Sequence, residues 1–219
     1  MLKETLDQNQ RELREQFPLV EKACKSLLLT VPYKDGKPIG EASSVVVEGS
    51  QIVTAYHVIE EADTILLYTI ANGLNLSVVF DGGEIAVDPQ ADVAVLPLLE
   101  ELRFIVPPCK LATANPLMPT AFIIGFPQID PGLQWPLYGR QPTIHPTKIL
   151  YKEFNELRML CQGSDFLEEP NGMSGGAVVD FEGKIVGIIN KAFKKLTPKN
   201  HIFCATPIDF VRANLFPKP

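Results

Sequence analysis

Ser174 lies among three glycines, in the stretch NGMSGGAVVDFEGKIVGI over residues 171 to 188. Glycine adds no packing and costs backbone entropy, so Gly172, Gly175 and Gly176 around one hydroxyl mark a sharp turn or a close approach. Two readings fit. One is a glycine-rich turn that opens a hairpin. The other is a nucleophile shown on a tight turn, beside N–H groups bare enough to face an oxyanion.

A nucleophilic serine needs a base to take its proton and a third group to orient that base. The chain has 3 histidines. His145 stands between Ile144 and Pro146 with no acidic residue close in sequence, and His201 follows the basic run KKLTPKN, which predicts a solvated ring. His57 ends the apolar run IVTAYHVI at a strand-to-helix transition, where a rigid element delivers it to a boundary; a purely structural histidine is the plainer alternative. Among the acids, Asp92 sits at the mouth of an apolar strand in DPQADVAVLPL, so its carboxylate is expected to be partly buried and to need a donor such as an imidazole N–H. Asp88, four residues earlier, is expected to close the preceding turn.

The elements that would hold these residues read as β-structure. Short apolar runs recur between turn signals: SSVVVEG and QIVTAY joined at Gly49-Ser50, then TILLYTI, LNLSVVF and VAVLPL, and later TAFIIGFP, KILYK, LRMLCQ, GAVVD, KIVGIIN and HIFCA. This spacing predicts an all-β barrel or sandwich and not alternating βαβ units. Residues 1 to about 17 predict a helix with Leu2, Leu6, Leu13 and Phe17 near one face, ended by Pro18. Residues 127 to 146 carry five prolines and the only tryptophan, and read as a long surface loop. The closing segment TPIDFVRANLF predicts a helix with Thr206 as N-cap, Pro207 in the first turn and Asp209 placed to complement the dipole.

Bulk properties narrow the function. The 219 residues are 46% apolar and 21% charged, ordinary for a folded domain, and the net charge of −6 argues against a nucleic-acid or anionic-membrane partner. No apolar run is long enough to span a bilayer and the polar start is unlike a secretory leader, so a cytoplasmic location is the expectation. Cys24, Cys109, Cys161 and Cys204 are scattered without a C-x-x-C pair, which predicts buried thiols and neither a disulfide framework nor a zinc site.

TAYH at 54–57, DPQADVAVL at 88–96 and GMSGG at 172–176 make one ordered pattern. It resembles the chymotrypsin-type (trypsin-like) serine peptidases, most closely the HtrA/Deg-like branch, and the likeness runs from about residue 22 to 214. The resemblance implies two antiparallel β-barrels, about 22–114 and 115–219, after a helical extension over 1–21, with the active site between them. It implies a triad of Ser174, His57 and Asp92, an oxyanion hole from the Gly172 and Ser174 N–H groups, protein or peptide substrates, and no metal or organic cofactor. It implies a substrate pocket lined by Glu168, Asn190, Lys191, Ala192 and Ala205. Glu168 would favour a basic substrate residue there, whereas HtrA-like relatives prefer small aliphatic ones.

The chain departs from the family at several points. Met173 precedes the expected nucleophile where the digestive branch has Asp, no I-V-G-G-like segment occurs, the turn reads EPNGMS, and no PDZ module is expected. Activation by N-terminal cleavage is therefore not expected. The N-terminal helix is expected to pack on its own domain or a second copy, or to dock an activating partner. Two rival functions remain. G-x-S-x-G also opens the elbow of α/β-hydrolases, but that elbow needs a strand before the serine and a helix after it. The other rival is a peptidase fold kept as a binding or regulatory module, inactive or active only with a partner.

Overall fold

The computed structural model describes residues 2–71, 74–80, 84–113, 119–127, 140–152, 156–162, 171–197 and 200–216. Two helices lead, α1 (Leu2–Gln16) and α2 (Pro18–Cys24), and Pro18 at the first position of α2 sets the break between them. A first sheet follows from β1 (Leu27–Lys34), β2 (Lys37–Pro38), β3 (Ala42–Val47), β4 (Gln51–Thr54), β5 (Thr64–Ala71), β6 (Leu74–Phe80), β7 (Ala86–Asp88) and β8 (Val93–Pro97), with the short helices α3 (Tyr56–Ile59) and α4 (Glu100–Arg103). The second set is β9 (Thr120–Gly125), β10 (Thr143–Lys152), β11 (Leu157–Gln162), β12 (Ala177–Val179), β13 (Ile185–Thr197) and β14 (Asn200–Pro207), closed by α5 (Ile208–Asn214).

All named strand pairs are antiparallel, and the fold is the two-barrel architecture of chymotrypsin type. The two halves differ in closure. β10-β11-β14-β13-β12-β9 form a closed barrel, whereas β6-β5-β1-β3-β4-β8-β7 run as a curved half-barrel, β2 pairing with β1. Closed pairing leaves no edge in the second unit, which stiffens the sheet from which Ser174 projects.

Three apolar cores explain why the halves hold their relative position. One fills the first sheet around Leu28, Val46, Ile52 and Leu67, and one fills the second barrel around Ile123, Met159, Met173 and Phe203. The third lies between them and joins Val45, Val53 and Val93 to Phe122, Ile124 and Ile188, with Val20 of α2 and Val211 of α5. The connecting chain adds backbone bonds to both sides: Cys109 N–H donates to Val46 O at 2.9 Å and Ile185 N–H to Lys110 O at 2.8 Å.

Helix α1 packs on its own barrel. Gln10 Nε2 donates to Ile144 O at 3.0 Å and Gln10 Oε1 accepts from Ile144 N–H at 2.9 Å, so one side-chain amide mimics a strand partner. Arg14 bridges Glu21 and Pro142 O. The side chains of Leu2 and Leu6 lie outside the described residues. Phe17 meets Phe122 at a centroid distance of 4.6 Å, and Phe122 meets Phe181 edge-on at 5.2 Å.

Several local expectations are corrected. Residues 143–146 are not loop: β10 begins at Thr143, and Pro146 is tolerated because pairing with β11 starts only at Thr147. His145 is consequently a buried strand residue, its Nε2 2.8 Å from Thr143 Oγ1. His201 is buried, not solvated, because β14 pairs it with Cys161 on a face turned inward. The N-cap of α5 is Pro207, with no side-chain cap bond, and Thr206 faces elsewhere. Most of the proline-rich segment, 128–139, lies outside the described residues. None of the four cysteines forms a disulfide and all are buried, and burial pushes Cys24 and Cys109 up to about 12.

Candidate active site

The β4 strand ends at Thr54, and one turn later α3 carries His57 at the rim of the first sheet. Asp92 sits in the turn before β8, whose pairing with β4 brings the two segments together. The carboxylate meets the histidine at two points. Oδ1 accepts the His57 N–H at 2.9 Å, and Oδ2 lies 2.7 Å from Nδ1. Two contacts fix both the position and the plane of the ring, leaving Nε2 as the free nitrogen. The Asp92 side chain is 12% exposed and the His57 side chain 46%. Burial works to raise the Asp92 carboxyl, but the two His57 hydrogen bonds and the charges of His57 and Lys191 outweigh it and hold the carboxyl below its ordinary value. Asp88 closes the preceding turn, its Oδ1 accepting from the N–H groups of Gln90 and Ala91 at 3.0 and 2.9 Å.

Ser174 is at the corner of a turn closed by Gly176 N–H to Met173 O at 2.9 Å. Gly175 has φ of +80°, and a Cβ there would lie 2.0 Å from Ser43 O and 2.3 Å from Thr54 Oγ1. A Cβ on Gly176 would lie 2.5 Å from Ile124 O. Both glycines are therefore needed for the turn to press against the strands beneath it. Met173 is wholly buried in the second barrel, against Gly125, where an Asp could not be accommodated without a partner.

Ser43 of β3 ties this turn to the first sheet, a role no local motif announced. Its N–H donates to Ser174 O at 2.8 Å, and its Oγ donates to Gly172 O at 2.8 Å while accepting from Phe126 N–H at 2.9 Å. Thr54 Oγ1 in turn donates to Ser43 O at 2.8 Å, three residues before His57. Neither the Gly172 N–H nor the Ser174 N–H donates to a backbone carbonyl among the described residues. The available signal was ASSVVV itself, since a strand buried at all six positions must satisfy each of its serines. Ser44 does so by a 2.6 Å bond to Thr30.

Four of the five pocket residues lie on the paired strands β13 and β14. Glu168 lies outside the described residues. Asn190 is buried, and its Nδ2 reaches Thr206 Oγ1 at 3.1 Å and Ala91 O at 3.4 Å. Lys191 is exposed on the next position of β13. Ala192 pairs with Phe203 and Ala205 with Ile189 in the β13–β14 ladder, and Ala205 is fully buried in the core of the second barrel.

The family model of the trypsin-like peptidase domain matches residues 42–188, well over half of the chain and all three segments of the site. The chain belongs to the trypsin-like peptidase family. Among curated proteins there is no sequence match. Solved structures of similar fold include the serine endoprotease from Yersinia pestis, with TM-score 0.66 and 20% identity over 89% of this chain and 63% of that one. The Rv3671c protease from M. tuberculosis in its active form gives TM-score 0.67 and 16% identity over 94% and 88%. Deg5 gives 0.65 and 23% over 92% of both chains. This peptidase domain thus spans less than two thirds of the Yersinia protein, and at these identities the likeness is one of fold.

Proposed function

We propose that this peptidase domain cleaves peptide bonds through Ser174, His57 and Asp92, by way of an acyl-enzyme. The observation that carries the reading is the two-point clasp of Asp92 on His57 beside a serine turn anchored to the same strands. Asp92 holds Nδ1–H, so the opposite nitrogen is the acceptor for the Ser174 hydroxyl proton. Ser174 Oγ attacks the scissile carbonyl, and the imidazolium formed at His57 is stabilised by the buried carboxylate. The tetrahedral oxygen is received by the Gly172 and Ser174 N–H groups, each donor being worth roughly 3 kcal/mol of barrier. His57 then returns the proton to the leaving amine, and water repeats the sequence on the acyl-enzyme. Protein or peptide chains are the substrates of this reading.

Labelling by a fluorophosphonate probe, followed by mass spectrometry, tests it directly. The wild-type chain is expected to gain one adduct at Ser174, and Ser174→Ala to gain none. An unlabelled wild-type protein that also leaves unfolded casein intact would replace the enzyme reading with the binding-module one.

A further inference from the structure

Asp92 has φ of +52°, left-handed backbone that a side chain other than glycine occupies only when its surroundings impose it. The restraint is visible on the peptide just before it. Ala91 N–H is held by Asp88 Oδ1, and Ala91 O accepts from Thr206 Oγ1 at the end of β14. Asn190 of β13 stands behind, its Nδ2 donating to Thr206 Oγ1 at 3.1 Å and, more distantly, to Ala91 O at 3.4 Å. The chain amide to hydroxyl to carbonyl runs in one direction, so each bond polarises the next. Thr206 is 0% exposed and Ala91 5%, so water does not compete for these groups.

The hydroxyl also leaves an obvious alternative unused. Helix α5 starts at Ile208 without a side-chain cap, although threonine is a favoured capping residue and Thr206 is two positions away. It is turned across the interface to the first half-barrel instead. Asp92 is thereby gripped at both ends, its carboxylate by His57 of its own sheet and its backbone by two strands of the other barrel.

We propose that Thr206, backed by Asn190, is a positioning residue for the reaction: by fixing the Ala91 carbonyl it sets the backbone angle of Asp92 and aims the carboxylate at His57. Neither residue touches substrate in this role. It rests on the peptidase reading above, and it makes the pairing of His57 with Asp92 depend on correct seating of the two barrels.

Thr206→Val keeps the branched shape and removes the hydroxyl, while Thr206→Ser keeps the hydroxyl; Thr206→Ala substitutes if the valine variant does not fold. On a peptide-amide substrate, Thr206→Val is expected to lower kcat about 10- to 100-fold, the scale of a misaimed catalytic group, with KM within about twofold. The acid limb of its kcat/KM profile should move to lower pH, because a misaimed carboxylate stabilises the imidazolium less. Thr206→Ser should restore both. A folded Thr206→Val with wild-type kcat and pH profile overturns the proposal, as does a loss that tracks melting temperature alone or that serine does not rescue. A readout independent of Ser174 separates this from failure of the peptidase reading: the downfield proton resonance of the His57 Nδ1–H···Asp92 bond, assigned with His57→Ala. If the wild-type chain neither labels nor cleaves, the peptidase reading falls, yet weakening of that resonance in Thr206→Val still supports the positioning role and its persistence overturns it.

Discussion

Ser43→Ala removes one oxygen and nothing else from the floor of the serine turn. The backbone bonds of Ser43 to Ser174 O and from Thr54 Oγ1 survive, so the variant reads the hydroxyl alone. Two buried groups lose their partner: the Gly172 carbonyl, 2.8 Å away, and the Phe126 N–H, 2.9 Å away. An unsatisfied buried backbone group costs about 1–3 kcal/mol, so the total is about 2–6 kcal/mol. That energy appears in one of two places. If the turn stays put, it is lost from the unfolding free energy. If the Gly172–Met173 peptide instead rotates its carbonyl toward water, stability is largely recovered but the backbone angles on either side of it change, so the flanking Gly172 and Ser174 N–H groups lose their aim at the proposed oxyanion, and loss of one such donor lowers kcat about 10²- to 10³-fold. Urea unfolding and steady-state hydrolysis of a peptide amide, run on the same preparation, capture both. The two losses together should reach at least about 2 kcal/mol, with KM little changed. A variant within about 0.5 kcal/mol of wild type in stability and twofold in kcat would refute the role given to Ser43.

Acid sensitivity and the N-terminal helix give two further expectations. Burial first, and His201 beside it second, lower His145 from 6.5 to about 4. The unfolded chain therefore binds a proton that the native chain refuses, so stability is full above about 6.5 and falls as pH drops toward 4, by up to about 3 kcal/mol at 1.36 kcal/mol per unit. His145→Gln should flatten that limb of urea midpoints between pH 7 and 4.5, and an unchanged slope would contradict it. Asp92 adds a separate loss at lower pH, because its depressed carboxyl contributes stability above its ordinary 3.8 and loses it below. Gln10→Ala breaks the two-way pairing with Ile144 and should raise hydrogen exchange at the Ile144 amide and trypsin cleavage within α1, with mass by light scattering unchanged. A change in mass would mean that α1 mediates assembly and does not merely cover its own barrel.

The parts of this molecule that were legible in its sequence are those whose partners lie nearby in the chain. Strand runs with turn residues between them specify pairing with the next run, so the β-rich architecture and the hairpin at Gly49-Ser50 followed from local pattern. Asp88 capping the turn at Ala91 is likewise a three-residue event. The same local rules misplaced His201, Thr206 and the start of β10. A charged neighbourhood before His201 says nothing about which face of β14 points inward, and a threonine before a helix caps it only if nothing better competes. For Thr206 the competitor is a carbonyl 115 residues away, and for Ser43 it is one 129 residues away.

Those two separations have a common cause. Ser174 comes from one barrel and His57 and Asp92 from the other, so apolar packing between the halves can bring the groups near each other but cannot set angles, being non-directional. Direction has to come from hydrogen bonds that cross the interface, and these form only between residues that are far apart in the chain. Three of the crossing bonds end on backbone carbonyls at the proposed triad: Gly172 and Ser174 in the serine turn, and Ala91 beside Asp92. Their donors are the N–H and Oγ of Ser43 and the Oγ1 of Thr206, at buried positions of β3 and β14. Small hydroxyl residues at buried strand positions are thus one trace that interface geometry leaves in a sequence, because a buried hydroxyl must find a partner, within its own sheet as Ser44 does or across the interface as Ser43 and Thr206 do.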